Sequence, residues 1–227
     1  PTQTASTVAN VYATPMVKKQ KIDEVAKLLG EGEPSVMILT GNCLEERGLE
    51  AASQIRQATG TQFLAQTSNA RLPRGEGRVS ISAVPYPVDQ ALQTLAPYKN
   101  VVPVCAKAPV AFFAYPDKPS TLSPAAANIV TLALETEDGA AALQALAVAL
   151  GADHLAPERQ EYSVPALPET TKLDGDSIAA VIANVLPENA IVVDEAISVG
   201  RAFPTPTQGA RAHDWLQICG GSIGDGF

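Results

Sequence analysis

The feature that most limits what this chain can become is its alternation of short, continuously apolar runs with longer stretches of helical period. Ser35 to Thr40 reads Ser-Val-Met-Ile-Leu-Thr, and an apolar run of that length without polar alternation suits a strand buried on both faces. Before it, Val17, Ile22, Val25, Ala26 and Leu29 recur at helical spacing among Lys and Asp, and Gly30 supplies a stop. After it, Leu44 to Thr59 is helical in pattern and Thr61 to Ala65 is strand-like. A second unit follows, with Val79 to Ser82 extended, Val88 to Leu95 helical behind Pro87, and Asn100 to Val104 extended. Two strand-helix-strand units in series predict the α/β class, a Rossmann-like parallel sheet with helices on both faces. A strand at Ile129 to Leu134 and an Ala/Leu-rich helix from Gly139 to Leu150 would complete that layer.

The stretch from Gly151 to Thr171 contains Pro157, Pro165 and Pro168 and has neither period, so it reads as an interdomain linker. Beyond it a second α/β unit begins. Asp174 can cap a helix carrying Ile178, Val181, Ile182 and Val185, and Pro187-Glu188-Asn189 leads into a buried strand from Ala190 to Val193. A short helix around Ser198 to Phe203, a strand at Trp215 to Ile218 and the run Gly220 to Phe227 follow. At the other end, Pro1 to Pro15 is polar and Thr-rich, which suits a connecting strand or linker.

Charge excludes one class of partner. There are 16 Lys+Arg against 24 Asp+Glu, a net charge of -8, whereas nucleic-acid binding needs clustered positive charge. A membrane partner is not expected either: no apolar run approaches the roughly 20 residues that cross a bilayer, and no basic start leads into a signal core. The chain therefore reads as soluble and cytoplasmic. With 18% charged residues its surface is sparsely charged, so some of it is expected to meet another domain or subunit. Cys43, Cys105 and Cys219 form no CxxC pair and are odd in number, which suits small buried hydrophobes in a reducing compartment better than a disulfide or a zinc site. His154 in the linker and His213, read as a loop residue, come without a GxSxG elbow, so exposure accounts for them more simply than a hydrolase triad.

Four stretches can carry chemistry. Thr40-Gly41-Asn42-Cys43 lies where a doubly wound sheet holds a phosphate, but it lacks GxGxxG, and no P-loop occurs in the chain. Ala108 to Pro116 concentrates aromatic residues beside prolines and can either line a pocket or pack against a neighbouring domain. Asp194-Glu195-Ala196-Ile197-Ser198 follows a strand directly and offers a hydroxyl and backbone N–H groups to a phosphate oxygen, with Ser198 as a plain helix cap as the alternative. Gly220-Gly221-Ser222-Ile223-Gly224 also follows a strand, with glycines where backbone can approach a ligand; Gly224-Asp225-Gly226 is readable as a metal site or as an ordinary turn.

Taken in order, the middle α/β domain, the proline-containing linker, Leu173 to Ser177, Ile191 to Glu195 and Gly220 to Phe227 resemble the thiamine diphosphate-dependent decarboxylase and acetolactate synthase superfamily. The resemblance is strongest to acetolactate synthase large-subunit-like and benzoylformate decarboxylase-like proteins. It implies four parts: residues 1–15 as the tail of a pyrimidine-binding domain, 16–150 as the middle Rossmann-like domain, 151–172 as a linker, and 173–227 as the start of the diphosphate-binding domain. It implies that Ala196, Ile197 and Ser198 touch the cofactor diphosphate. It also implies that the Gly221 carbonyl accepts from the cofactor's 4'-amino group, and that Ile223 sits under the bend between its two rings. Such a bend aids the cofactor by orientation.

No catalytic residue and no metal ligand is assigned within the chain. The family's activating glutamate lies in the first domain, and its Mg²⁺ ligands are expected beyond Phe227, so Asp225 is not one of them. The bulky Ser82-Ala83-Val84-Pro85-Tyr86-Pro87 stands where flavin-binding members carry glycine, which argues against FAD. The function implied is a share in a 2-oxo-acid decarboxylase or carboligase, built as a homodimer or homotetramer with the active site between subunits. This chain by itself would be inactive. The alternative is a non-catalytic nucleotide-binding or assembly module with a Rossmann-like fold.

Overall fold

Helix α1 (Lys19–Gly30) buries Ile22, Val25 and Leu29 along one stripe, the periodicity its sequence carries. It leads into β1 (Ser35–Leu39), whose five residues are all buried. The computed structural model describes residues 13–169, 172–196, 198–218 and 224. From β1 a 3-10 turn (Gly41–Leu44) opens α2 (Glu46–Thr59), and Gly60, with φ 76, ends that helix in the left-handed conformation. Then come β2 (Gln62–Ala65), β3 (Arg71–Arg74), β4 (Ser82–Ala83), α3 (Val88–Leu95), β5 (Asn100–Val104), β6 (Asn128–Ile129) and α4 (Gly139–Ala149).

Five of these strands form a parallel sheet in the order β4-β2-β1-β5-β6, so strand order reverses between β1 and β5. Helices cover both faces, as the sequence predicts. Met37 and Leu39 of β1 pack with α1, α2 and α4, while Val36 and Ile38 face α3 through Val88, Ala91 and Leu95. This two-residue alternation explains why the strand reads as continuously apolar.

Two boundaries shift. The strand expected at Val79 to Ser82 is Ser82–Ala83, at the sheet's edge, where pairing with β2 is limited to Leu64↔Ser82 and Ala65↔Ala83. The strand expected from Ile129 to Leu134 is regular only at Asn128–Ile129. The cause is Pro103 on β5. In a parallel ladder a residue's N–H and C=O face the same neighbour; the Pro103 carbonyl accepts from Leu132 N–H at 2.9 Å, so the N–H that proline lacks is missing from that edge.

Residues 151–172, where described, contain no helix or strand, but they are fastened along their length. Glu158 N–H donates to Ser53 Oγ at 2.9 Å, Gln160 N–H to the Arg78 carbonyl at 2.7 Å, and Ser163 N–H to the Gly209 carbonyl at 2.7 Å. Beyond them lie α5 (Gly175–Val185), β7 (Ala190–Asp194), a 3-10 turn (Val199–Ala202), α6 (Pro204–Thr207) and β8 (His213–Gln217). Strands β3, β8 and β7 make a second sheet in that order, with β3 antiparallel and β7 parallel to β8. Strand β3, which has no counterpart in the sequence reading, is therefore lent by the first unit to the second.

The expectation of a buried strand from Ala190 to Val193 is corrected: Ile191 is 69% and Val193 46% exposed. Helix α5 covers one face of this sheet through Ala179, Phe203 and Trp215, and alternate β7 side chains point from the other. His213 is corrected as well. It is no exposed loop residue; it begins β8 and is 2% exposed.

Candidate cofactor site

The site begins where β7 ends. Asp194 closes the strand, and its carboxylate takes two N–H donors: the Trp215 indole Nε1 at 3.2 Å and the Ala196 backbone at 2.8 Å. Trp215 is fully buried on the neighbouring strand, so this pair ties the loop after β7 to the core of the second sheet. Gly200 is needed here, because a Cβ on it would stand 2.9 Å from Asp194 Oδ1. The next carboxylate, Glu195, accepts from Gly224 N–H, at 3.1 Å to Oε1 and 3.2 Å to Oε2. Two stretches far apart in sequence are thereby joined, the loop at 194–198 and the glycine turn.

Of the predicted site residues, Ala196 and Ser198 lie on this loop and are exposed. Ser198 makes no side-chain cap to the turn that follows it, so the plain helix-cap alternative for its hydroxyl is not realised. Ile197, Gly221 and Ile223 lie outside the described residues, as do Asp225 and Cys219. Both acidic residues of the loop are half-buried and accept from N–H donors. The exposed Ser198 hydroxyl is a donor that could meet an oxygen of an anionic group such as a diphosphate. Among the described residues no group of three or more metal-ligating side chains could hold a metal ion.

Sequence reasoning quoted Asp194 and Glu195 but assigned them no task. The signal was present: an acidic pair directly after a strand, ahead of a glycine-rich turn and a lone tryptophan. Around Trp215 the second sheet also stacks Arg74, 5.0 Å over its ring. Burial lowers the Arg74 guanidinium to about 10, with Asp194 opposing the shift. Arg74 was missed because β3 was.

A second concavity lies at the carboxyl ends of the first sheet. Gln66, Val84, Lys107, Pro109 and Phe112 are among the residues lining a cavity of about 410 Å³, so the Ala108 to Pro116 stretch does line a pocket. Its remaining rings form a cluster, with Phe113 57% exposed and the Tyr86 and Tyr115 hydroxyls 3.2 Å apart.

No family model matches the chain. It is 40% identical over 223 residues to a Mycobacterium tuberculosis protein provisionally named acetolactate synthase large subunit IlvX, a match covering 98% of this chain and 43% of that protein. Its fold agrees at low identity with that of thiamine diphosphate-dependent enzymes of known structure. A structure from Mycobacterium smegmatis, provisionally described as a thiamin diphosphate-dependent enzyme, superposes with a TM-score of 0.66 at 17% identity, over 100% of this chain and 46% of that one. The thiamine diphosphate-dependent 4-hydroxybenzoylformate decarboxylase of Rhodococcus jostii RHA1 gives 0.64 at 15% identity, over 92% of this chain and 42% of that one. Benzoylformate decarboxylase from Polynucleobacter necessarius gives 0.65 at 12%, over 96% and 43%. The chain thus spans less than half the length of each of these proteins.

Proposed function

We propose that this chain supplies the middle domain and the opening of the diphosphate-binding domain of a thiamine diphosphate- and Mg²⁺-dependent enzyme that decarboxylates or carboligates a 2-oxo acid. The observation that carries the reading is the 40% identity running through 98% of the chain to a protein provisionally named as an acetolactate synthase large subunit. The loop after β7 supports it locally. Thiamine diphosphate, when bound, supplies a carbon nucleophile for the keto carbon and a sink for the electrons released with CO₂.

The chain's own residues have positioning roles in this reading. The Ser198 hydroxyl holds the diphosphate, with Ala196 and Ile197 in contact beside it. Asp194 fixes the loop against Trp215, and Glu195 holds the glycine turn, on which Gly221 and Ile223 orient the cofactor rings. The metal ligands and the activating carboxylate come from outside this sequence, and the site is completed in a homo-oligomer in the cytoplasm.

The test uses the polypeptide as the cell makes it, given thiamine diphosphate, Mg²⁺ and a panel of 2-oxo acids from pyruvate to benzoylformate. CO₂ release from at least one is expected. Ser198→Ala should weaken cofactor binding about tenfold, the loss of one charge-assisted hydrogen bond of roughly 1.5 kcal/mol. If no substrate turns over and titration shows no cofactor binding, the reading fails.

A further inference from the structure

Cys43, on the turn after β1, and Cys105, directly after β5, come from the two sides of the point where strand order reverses. Both sulfurs stand against Asn42 Oδ1, at 3.7 and 3.6 Å, with the Val104 carbonyl 3.6 Å from Cys43 Sγ and the Glu137 carbonyl 3.5 Å from Cys105 Sγ. Two further observations mark the place as built. A Cβ on Gly139, the first residue of α4, would overlap both sulfurs, so only glycine lets them lie together over that helix end. Cys105 itself has φ 54, a left-handed conformation that residues with a Cβ seldom adopt outside constrained sites. Its N–H is held by the Ala133 carbonyl at 2.9 Å.

We propose that Cys43 and Cys105 form a reversible disulfide, so that the β1–β5 reversal point is an oxidisable dithiol site whose oxidant is a hydroperoxide. Cys105 makes the first attack. It keeps 4% exposure where Cys43 has none, and its thiol is held below the ordinary value by the hydrogen bond from Cys43 and by Gly139 N–H, against the opposing effects of burial and of the Asp138 and Glu137 carboxylates. The same bond, together with burial, pushes the Cys43 thiol far up, so Cys43 stays protonated as the donor. The Cys105 thiolate attacks one peroxide oxygen and the O–O bond breaks. The distal oxygen takes up a proton and leaves as water, or as an alcohol from an organic hydroperoxide, and Cys105 becomes a sulfenic acid. The Cys43 sulfur then attacks that sulfenic sulfur. The S–O bond breaks, the departing hydroxide takes the Cys43 proton and leaves as water, and the S–S bond forms. Two thiols have lost two electrons and one peroxide has gained them; a small dithiol reverses the change by exchange.

The experiment treats the native protein with hydrogen peroxide, alkylates remaining thiols after unfolding, and maps the peptides by mass. The expected result is a Cys43–Cys105 linked peptide about 2 Da lighter than the two free peptides together, with Cys219 still alkylated and dithiothreitol restoring both thiols. Cys43→Ser should halt at a dimedone-reactive Cys105, about 16 Da heavier before trapping. The wild-type map decides the matter even if that variant fails to fold. Two alkylated thiols at 43 and 105 after treatment, a link that appears only in urea, or a link made to Cys219 would each overturn the proposal.

Discussion

Gly139 shows how one missing Cβ sets a local structure. It is the first residue of α4, where alanine would ordinarily improve the helix, yet a methyl there would overlap the sulfurs of Cys43 and Cys105. Gly139→Ala is expected to destabilise the fold by about 1–3 kcal/mol, the usual range for overpacking. Combining it with Cys43→Ala, which removes one of the two sulfurs in the way, should return part of that loss. Urea midpoints of the two single variants and the double variant measure the coupling.

His213 gives a second prediction at the same scale. Burial pushes its imidazole below the ordinary value of 6.5, and Arg74 adds to this, while the bond to the Arg211 carbonyl and the charge of Asp214 oppose it. The unfolded chain therefore takes up a proton at a higher pH than the folded one does. Stability from this group is full above about 6.5 and falls as pH drops through that value toward the lower folded one. His213→Gln should flatten the decline between pH 7.5 and 5.5 in a series of urea unfolding curves. An unchanged slope would place the proton elsewhere.

At the scale of elements, the clearest local signal was also the most faithfully realised. Asp174 was expected to cap a helix, and α5 opens with a reciprocal pair: Ser177 N–H donates to Asp174 Oδ1 at 3.0 Å, and Asp174 N–H to Ser177 Oγ at 2.9 Å. Asp174→Ala should cost about 1 kcal/mol in a thermal melt. Helix α3 and strand β5 were legible to the residue for the same reason, since propensity, period and punctuation agreed. Strand β3 was not. Arg-Leu-Pro-Arg is four residues with a proline inside, too short to show alternation, and it is a strand only because β8, some 140 residues later, offers it a partner; as an edge strand it tolerates the proline. The site divides in the same way. Ser198 was legible as a hydroxyl after a strand, but the tasks of Asp194 and Glu195 depend on Trp215 and Gly224, contacts that no local pattern encodes.

For the whole molecule, β3 has a larger consequence than any single contact. The segment between the two sheets reads as a linker, yet the sheets are also joined by contacts outside it. Leu72 stands in register with Trp215, Arg71 pairs with Asp214 at 2.8 Å, and Glu76 pairs with Arg211 at 2.9 Å, all between residues on opposite sides of the linker in sequence. A specific protease site inserted after the exposed Ala166 should therefore yield two pieces that elute as one species under native conditions and part only in urea. Leu72→Asp would put a carboxylate opposite Trp215 in a site that leaves Leu72 only 7% exposed, at a desolvation cost of several kcal/mol. In that background the nicked pieces should separate without denaturant. If the nicked wild type already falls apart in buffer, the linker and not β3 is what couples the two sheets.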